Sequence, residues 1–287
     1  MKDCNFINNT ANLGGGVYWW ADNGTLIGSA FINNSANTDG GAVGWWGENG
    51  TINCSTFINN VVIKKDGGAV SWGSISVNGI IMHSIFINNT ARHGGGIWWG
   101  GVSGSLINST FINNTATNGG AVYWNSINGT LTNSNFTNNK ASNYGGAVYW
   151  NAANGTISGC TFKGNMGNEG GAVRWTAING TLSNSIFSEN YAILNDGGGV
   201  SWSSSAPNGI ITDCTFTHNT ANRHGGAVWY GGSNSTMIDC NFTNNHAFYG
   251  DNVYWYWTVE EFLNKYGQIN DYDYVYIRNG VGTPSKT

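Results

Sequence analysis

A motif built around a Phe is repeated ten times along the chain at short and nearly constant intervals. In each copy the Phe is followed three positions later by Asn, and an aliphatic residue closes a glycine-rich segment further on. Two positions beyond that aliphatic residue stands Trp, in nine copies of ten. One copy is too short to bury these side chains alone, so the copies must stack on one another. The sequence therefore predicts a solenoid, anchored at Phe6, Phe31, Phe57, Phe86, Phe111, Phe136, Phe162, Phe187, Phe216 and Phe242.

Each copy contains three short segments with strand signals, bounded by Gly-Gly, Asn-Gly or Asn-Asn pairs that favour turns. No segment has the spacing of an amphipathic helix. If each copy forms one coil, equivalent strands lie in parallel about 4.8 Å apart, and such crossovers favour the right hand. The predicted fold is all-β: a right-handed, single-stranded parallel β-helix of about ten coils over residues 1–256.

Stacked coils turn each motif position into a column of equivalent residues. The Asn that follows each Phe is predicted to form an internal amide ladder. Val and the Trp two positions later share one face of a strand, and the residue between them varies from copy to copy. We therefore assign Val and Trp to the interior and the variable residue to the surface, although the opposite parity would expose the Trp column instead.

A slower repeat is superimposed on the first. Coils three and eight are the longest copies, and SWGSISVNGII in one matches SWSSSAPNGII in the other. The offset of five coils indicates two duplicated five-coil blocks, about 1–130 and 131–256. His93 and His224 recur because they were copied together, so their agreement is not independent evidence for a role.

The pattern stops after Trp255, and residues 257–287 are predicted to be a short α+β cap or the start of a next module. Thr258–Glu261 reads TVEE, a capping box for a short helix, and Asp271–Arg278 alternates like a strand. A cap would cover the open sheet edge of the last coil. Because the motif is already under way at Asp3, we expect the chain to be part of a longer polypeptide.

One column, four positions before the Val or Ile, contains acidic and histidine side chains on successive coils. Carboxylates stacked about 5 Å apart repel one another and suit a bound cation; carboxylates at such a separation also serve glycoside chemistry. The alternative is a turn corner, where Asp, Asn and His are common. The candidate cation ligands are Asp39, Asp66 and His93, and in the second block Glu169, Asp196 and His224.

Outward aromatic residues form a second candidate site. Flat rings stack on sugars or anchor a partner surface, but strands favour aromatic residues in any case. The candidate glycan- or partner-binding residues are Tyr18, Trp20 and Trp46, and in one column Trp98, Tyr123 and Tyr149. A further group, Trp229, Tyr254 and Tyr256, lies near the end of the repeats.

Composition restricts the kinds of partner that are expected for this protein. Only 9% of residues are charged and the net charge is −4; with Lys and Arg unclustered, nucleic acid is not expected as a partner. No apolar run is long enough to cross a bilayer, so no membrane span is expected. We find no nucleophile with a matched base and no phosphate-binding loop before a helix, so no catalytic residue and no cofactor are predicted. About fourteen N-x-[ST] sequons would be glycan acceptors if the protein is exported.

The coupling of GGA[VI] to FxxN resembles the repeats of polymorphic outer membrane proteins. The wording of FINNTA (86–91 and 111–116) and NGTL (23–26) is also similar to adhesin-like proteins of methanogenic archaea. The resemblance covers residues 1–256 and implies a pectin-lyase-like right-handed β-helix. It also implies an extracellular, surface-exposed region that adheres to a glycan or protein on another cell surface. No export signal, anchor or autotransporter barrel was recognised in the sequence, so attachment is expected only from the resemblance.

Two functions remain open at this point. The first is a non-enzymatic adhesive or structural rod, and the second is a polysaccharide lyase or glycoside hydrolase on the same scaffold. An enzyme needs a groove where long loops bearing acids and bases interrupt the repeat. The copies differ little in length and acids are few, so we favour the rod.

Overall fold

A computed structural model of the chain describes residues 1–256, and the predicted cap at 257–287 lies outside this range. The described residues form ten coils of parallel strands, which confirms the predicted parallel β-helix. A complete coil passes in turn through a strand centred on the motif Phe, a short strand, a strand ending at the motif Trp and a strand centred on an apolar residue. The fourth coil has single bridges in place of the short strand, and the described part of the tenth coil ends after its Trp strand. Within residues 1–256 there is no helix long and apolar enough to cross a membrane.

Each of the three main strands stacks into its own sheet, and the sheets are named after their interior residue. The phenylalanine sheet comprises Asn5–Ile7, Ala30–Ile32, Thr56–Ile58, Ile85–Ile87, Thr110–Ile112, Asn135–Thr137, Thr161–Lys163, Ile186–Ser188, Thr215–Thr217 and Asn241–Thr243. The tryptophan sheet comprises Val17–Trp19, Val43–Trp45, Val70–Trp72, Ile97–Trp99, Val122–Trp124, Val148–Trp150, Val173–Trp175, Val200–Trp202, Val228–Tyr230 and Val253–Trp255. The leucine sheet comprises Thr25–Ile27, Thr51–Asn53, Ile80–Met82, Ser105–Ile107, Thr130–Thr132, Thr156–Ser158, Thr181–Ser183, Ile210–Thr212 and Thr236–Ile238.

Short strands fill the corner between the phenylalanine and tryptophan sheets. Three of them pair at one end of the solenoid and six pair beyond, with single bridges through Thr90 joining the two groups. Their bounds are Thr10–Leu13, Ser35–Asp39 and Val61–Val62, then Thr115–Asn118, Lys140–Tyr144, Met166–Gly167, Tyr191–Ala192, Thr220–His224 and His246–Tyr249.

Like residues stack on like along the axis. Phe6 pairs with Phe31 and Trp45 with Trp72, and the same register continues from coil to coil. The stacked Phe rings are 4.6 to 5.3 Å apart between centroids. The motif Trp side chains from Trp45 to Trp202 are fully buried, so the interior assignment of the Trp column is correct. This continuous apolar column is the main source of stability, because burial removes apolar surface from water.

The predicted amide ladder lies inside, beside the Phe column. The Nδ2 group of each Asn donates to Oδ1 of the Asn one coil on, at 2.8 to 3.1 Å. The same Oδ1 also accepts the backbone N–H of the preceding Asn, as Asn139 Oδ1 does from Asn114. A second Nδ2 bond reaches a Phe carbonyl on the preceding coil, for example from Asn114 to Phe86. The ladder satisfies polar groups that water cannot reach.

Asn-Gly turns close the loop after the tryptophan sheet. Asn128 has a φ of 59°, a left-handed conformation that Asn adopts readily. A Cβ on the following Gly129 would lie 2.2 Å from Nε1 of Trp124. The Gly is therefore required because the buried indole packs directly against its backbone.

Candidate functional site

The variable residue between Val and Trp points outward from the tryptophan sheet, as the motif predicts. We call these positions the outer column; the residue type varies along it, and members on neighbouring coils lie about one strand spacing apart. Its members are Tyr18, Gly44, Ser71, Trp98, Tyr123, Tyr149, Arg174, Ser201, Trp229 and Tyr254. Trp98 lies beside Ser71, and Arg174 and Trp229 flank Ser201; both serines are buried although their side chains face outward.

Glycines let the outer indoles lie down on the sheet. A Cβ on Gly44 would meet the Trp46 ring at 2.7 Å, and a Cβ on Gly73 would meet it at 2.9 Å. Trp98 lies in the same way against Gly100, where a Cβ would be 2.4 Å from its ring. Trp46 and Trp98 are therefore held in fixed orientations with one ring face against the protein.

Three of the predicted aromatic residues form a cluster on the first two coils. The ring centroids of Tyr18 and Trp46 are 5.1 Å apart, those of Tyr18 and Trp20 are 6.0 Å apart, and those of Trp20 and Trp46 are 6.4 Å apart. Trp20 is 58% exposed and Tyr18 is 40% exposed. We call Tyr18, Trp20 and Trp46 the aromatic cluster; it presents ring surface to solvent on a rigid sheet.

A second group of rings runs along the middle of the same face. The ring centroid of His93 lies 5.0 Å from that of Tyr123, and the ring centroids of Tyr123 and Tyr149 are 4.9 Å apart. Tyr144, from the corner strand, contacts Tyr149 at 5.7 Å. Burial, with a contribution from the neighbouring Tyr149, raises the pKa of Tyr123 to about 12. Its hydroxyl is protonated at neutral pH, as an ordinary Tyr hydroxyl is, and can donate a hydrogen bond.

The structure brings the acidic column of the first block together on neighbouring coils. Single parallel bridges join Asp39 to Asp66 and Asp66 to His93. Nδ1 of His93 lies 2.8 Å from Oδ1 of Asp66, and Nε of Arg92 lies 3.9 Å from the same oxygen. Asp66 thus has two basic neighbours. The pKa of Asp39 is raised, chiefly by burial; Lys65 opposes the shift and the Asp66 charge adds to it.

The second block has the same Asp–His contact, and both of its side chains are more buried than those of the first block. Nδ1 of His224 lies 2.7 Å from Oδ1 of Asp196, and Nε of Arg223 lies 4.0 Å from that oxygen. The ring of Tyr254 covers the His224 ring with centroids 4.2 Å apart. Tyr254 is only 4% exposed, so this residue faces outward but is not free to bind a ligand.

Glu169 behaves differently from its counterpart Asp39. Oε1 of Glu169 lies 3.1 Å from Nη1 of Arg174 and accepts a hydrogen bond from the Ser201 hydroxyl at 2.9 Å. The guanidinium of Arg174 also lies between the rings of Tyr144 and Trp229, at 5.8 and 5.7 Å from their centroids. The sequence signal was an Arg in an otherwise uncharged column. Its reach across two coils to Trp229 is not visible from column positions.

Carboxylates in the acidic column face basic side chains. Among residues 1–256, no group of three or more His, Cys, Asp or Glu side chains could hold a metal ion. The chemistry that the face offers is ring stacking, hydrogen bonding from Tyr hydroxyls, and imidazoles held at Nδ1 by a carboxylate.

A family model described as "Right handed beta helix region" matches residues 95–259. This match spans more than half of the chain. The chain belongs to this family. Neither the curated proteins nor the solved structures contain a match to it. The family gives the hand of the solenoid, and the fold is consistent with the pectin-lyase-like superfamily.

Proposed function

We propose that the protein is a non-enzymatic, extracellular rod of the adhesin-like type that binds glycans through the outer face of its tryptophan sheet. The aromatic cluster is the observation that supports this proposal best. Tyr18, in the strand Val17–Trp19, and Trp20, directly after that strand, keep about half of their surface in contact with solvent. Exposed, oriented rings favour stacking against the apolar face of a sugar.

The even build of the solenoid also supports a display role. Coils of nearly equal length leave no long loop to wall a reaction groove. Solenoids gain reach by adding copies, because each coil contacts only its neighbours. The resemblance to polymorphic outer membrane repeats and to archaeal adhesin-like proteins suggests such a rod at a cell surface, where its partner would be a glycan or a protein of another cell.

The test is a glycan panel followed by titration of any ligand found. We expect Trp20→Ala with Trp46→Ala to weaken binding about tenfold or more, because two stacking surfaces are removed. Tyr191→Ala is the control, since Tyr191 lies on a corner strand of the eighth coil, whereas the aromatic cluster lies on the first two coils. Glycan binding that survives the double substitution, with the thermal unfolding of both proteins unchanged, would contradict the proposal.

A polysaccharide-cleaving enzyme is the second candidate, and the paired Asp–His contacts are what favours it. An imidazole oriented by a carboxylate is the geometry of a general base. Incubating the protein with polysaccharides and assaying new reducing ends or unsaturated products separates the two functions. Turnover abolished by Asp66→Asn with Asp196→Asn would establish the enzyme, whereas binding without products supports the rod.

A further inference from the structure

An aliphatic column runs along the outside of the phenylalanine sheet in the first block only. Each member follows a buried Phe by one residue and therefore faces outward. Successive members are paired in register from coil to coil. None of the five is buried, and the first is 51% exposed. We call this column the isoleucine stripe: Ile7, Ile32, Ile58, Ile87 and Ile112.

The second block shows that folding does not require the stripe. Its equivalent positions, on the same strands of the same sheet, are polar throughout: Thr137, Lys163, Ser188, Thr217 and Thr243. Lys163 even forms an exposed ion pair with Glu189, 3.5 Å apart. Strand propensity would be served by Thr in either block. The isoleucines must therefore have another reason, and an exposed apolar surface usually marks a contact.

We propose that the isoleucine stripe is a lateral docking surface for a second copy of this chain. The outer positions of the first-block strands in the phenylalanine and leucine sheets carry no charged side chain, which disfavours a charged partner. The rungs of the stripe repeat at strand spacing, about 4.8 Å. Another stack of strands with the same spacing can interdigitate with all five rungs, and this chain presents such a stack.

Asn side chains border the stripe and fit the same partner. One residue after each Ile stands an exposed Asn: Asn8, Asn33, Asn59, Asn88 and Asn113. Nδ2 of Asn59 donates to Oδ1 of Asn33 at 3.2 Å, which leaves amide donors and acceptors facing solvent. An amide both donates and accepts, so the border is complementary to itself. An apolar centre with a polar border is the usual anatomy of a protein interface.

The size of the face predicts weak association. The uncharged face is five rungs long along the axis. Across the axis it is two strands wide, one from the phenylalanine sheet and one from the leucine sheet, each about 10 Å long. Its footprint is therefore on the order of 500 Å². Stable interfaces bury about 800 Å² per partner. We therefore expect a two-fold, concentration-dependent dimer in solution, strengthened wherever many copies are held close together.

The test is sedimentation velocity of the full 287-residue chain between about 10 μM and 1 mM, the range in which weak dimers form. Ile32→Lys introduces the residue that the second block has at the equivalent position, so the fold is expected to tolerate it. We expect this variant to remain monomeric at every concentration, because a dimer would bury two unpaired ammonium groups. Ile87→Thr, which copies Thr217, is expected to weaken dimerisation about tenfold.

Ile127→Lys is the matched control, since Ile127 is 46% exposed but lies in a loop outside the phenylalanine sheet. Dimerisation that the control retains and Ile32→Lys loses supports the proposal. A wild-type chain that is monomeric at the highest concentration overturns it, as does a dimer insensitive to Ile32→Lys. Binding of the monomer to neutral phosphatidylcholine vesicles, lost in the same variant, would also overturn it and assign the stripe to a lipid surface.

Discussion

The two five-coil blocks share one interior and carry different surfaces. Inside, both have the Trp column, the Phe column and the amide ladder in the same register. Outside, the first block has the isoleucine stripe and the aromatic cluster, whereas the second has Thr, Ser and Lys on the phenylalanine sheet. Where the first block has Gly44 in the outer column, the second has Arg174, which is held by Glu169.

This difference shows that interior and surface positions of a solenoid are subject to different constraints. Columns that face inward are fixed by packing against the coils above and below, so they cannot diverge without cost. Outward positions need only suit a strand, and they can acquire contacts block by block. We infer that the surface differences, and not the shared core, carry whatever is specific to this chain.

The largest expected effect tests the claim of a common interior. Asn89→Ala and Asn219→Ala each remove four side-chain hydrogen bonds at equivalent places in the two blocks. At about 1 kcal/mol per bond, each should lower the free energy of unfolding by about 4 kcal/mol. Urea denaturation of both variants would measure this. Asn88→Gly, at an exposed left-handed turn residue, is the control and should change little. If the losses in unfolding free energy of Asn89→Ala and Asn219→Ala differ by more than about 2 kcal/mol, the interiors of the two blocks are not equivalent.

The interior was predictable because stacking makes it a property of single positions. A Phe three positions before an Asn has the same neighbours on every coil, so spacing alone placed the Phe, Trp and Asn columns correctly. The paired positions of Asp66 and His93 followed from the same reasoning. Sequence spacing also placed Tyr18, Trp20 and Trp46 outward, where the structure finds them in contact.

What sequence did not reveal depends on side chains that cross between columns. Glu169 was grouped with Asp196 and His224, but its carboxylate turns to Arg174 and Ser201 instead. Ser71 and Ser201 face outward and are nevertheless buried, because neighbouring rings and the Arg174 side chain cover them. Tyr254 is closed off by its contact with His224. A long side chain can reach residues on several coils. Which of them it contacts depends on how the side chains of other positions pack around it.

The next effect in size concerns the ion pair that only the second block has. Arg174→Gly restores the residue found in the first block and leaves Glu169 unpaired while largely buried; we expect a loss of about 2 kcal/mol. Adding Glu169→Gln should return part of this loss, because the uncompensated charge disappears. Chemical denaturation of the two single variants and the double variant gives the coupling. Lys163→Ala, at an exposed pair, should cost less than about 0.5 kcal/mol. If Arg174→Gly is equally mild, the pair does not distinguish the blocks energetically.

The smallest expected effect is a change in the denaturation midpoint, and it should have opposite signs at the equivalent carboxyl groups of Asp39 and Glu169. Because burial raises the pKa of Asp39 above 3.8, its ionised form destabilises the folded chain. That penalty is complete above the raised pKa, decreases as the pH falls through it, and vanishes below 3.8, where both states are protonated. Asp39→Asn should therefore raise the denaturation midpoint at pH 7 and leave it unchanged at about pH 3. Glu169→Gln, which breaks a charge-assisted contact with Arg174, should lower the midpoint at pH 7. Midpoints that move in the same direction for both variants would show that the two carboxyl groups share one environment after all, and that the blocks differ less than their surfaces suggest.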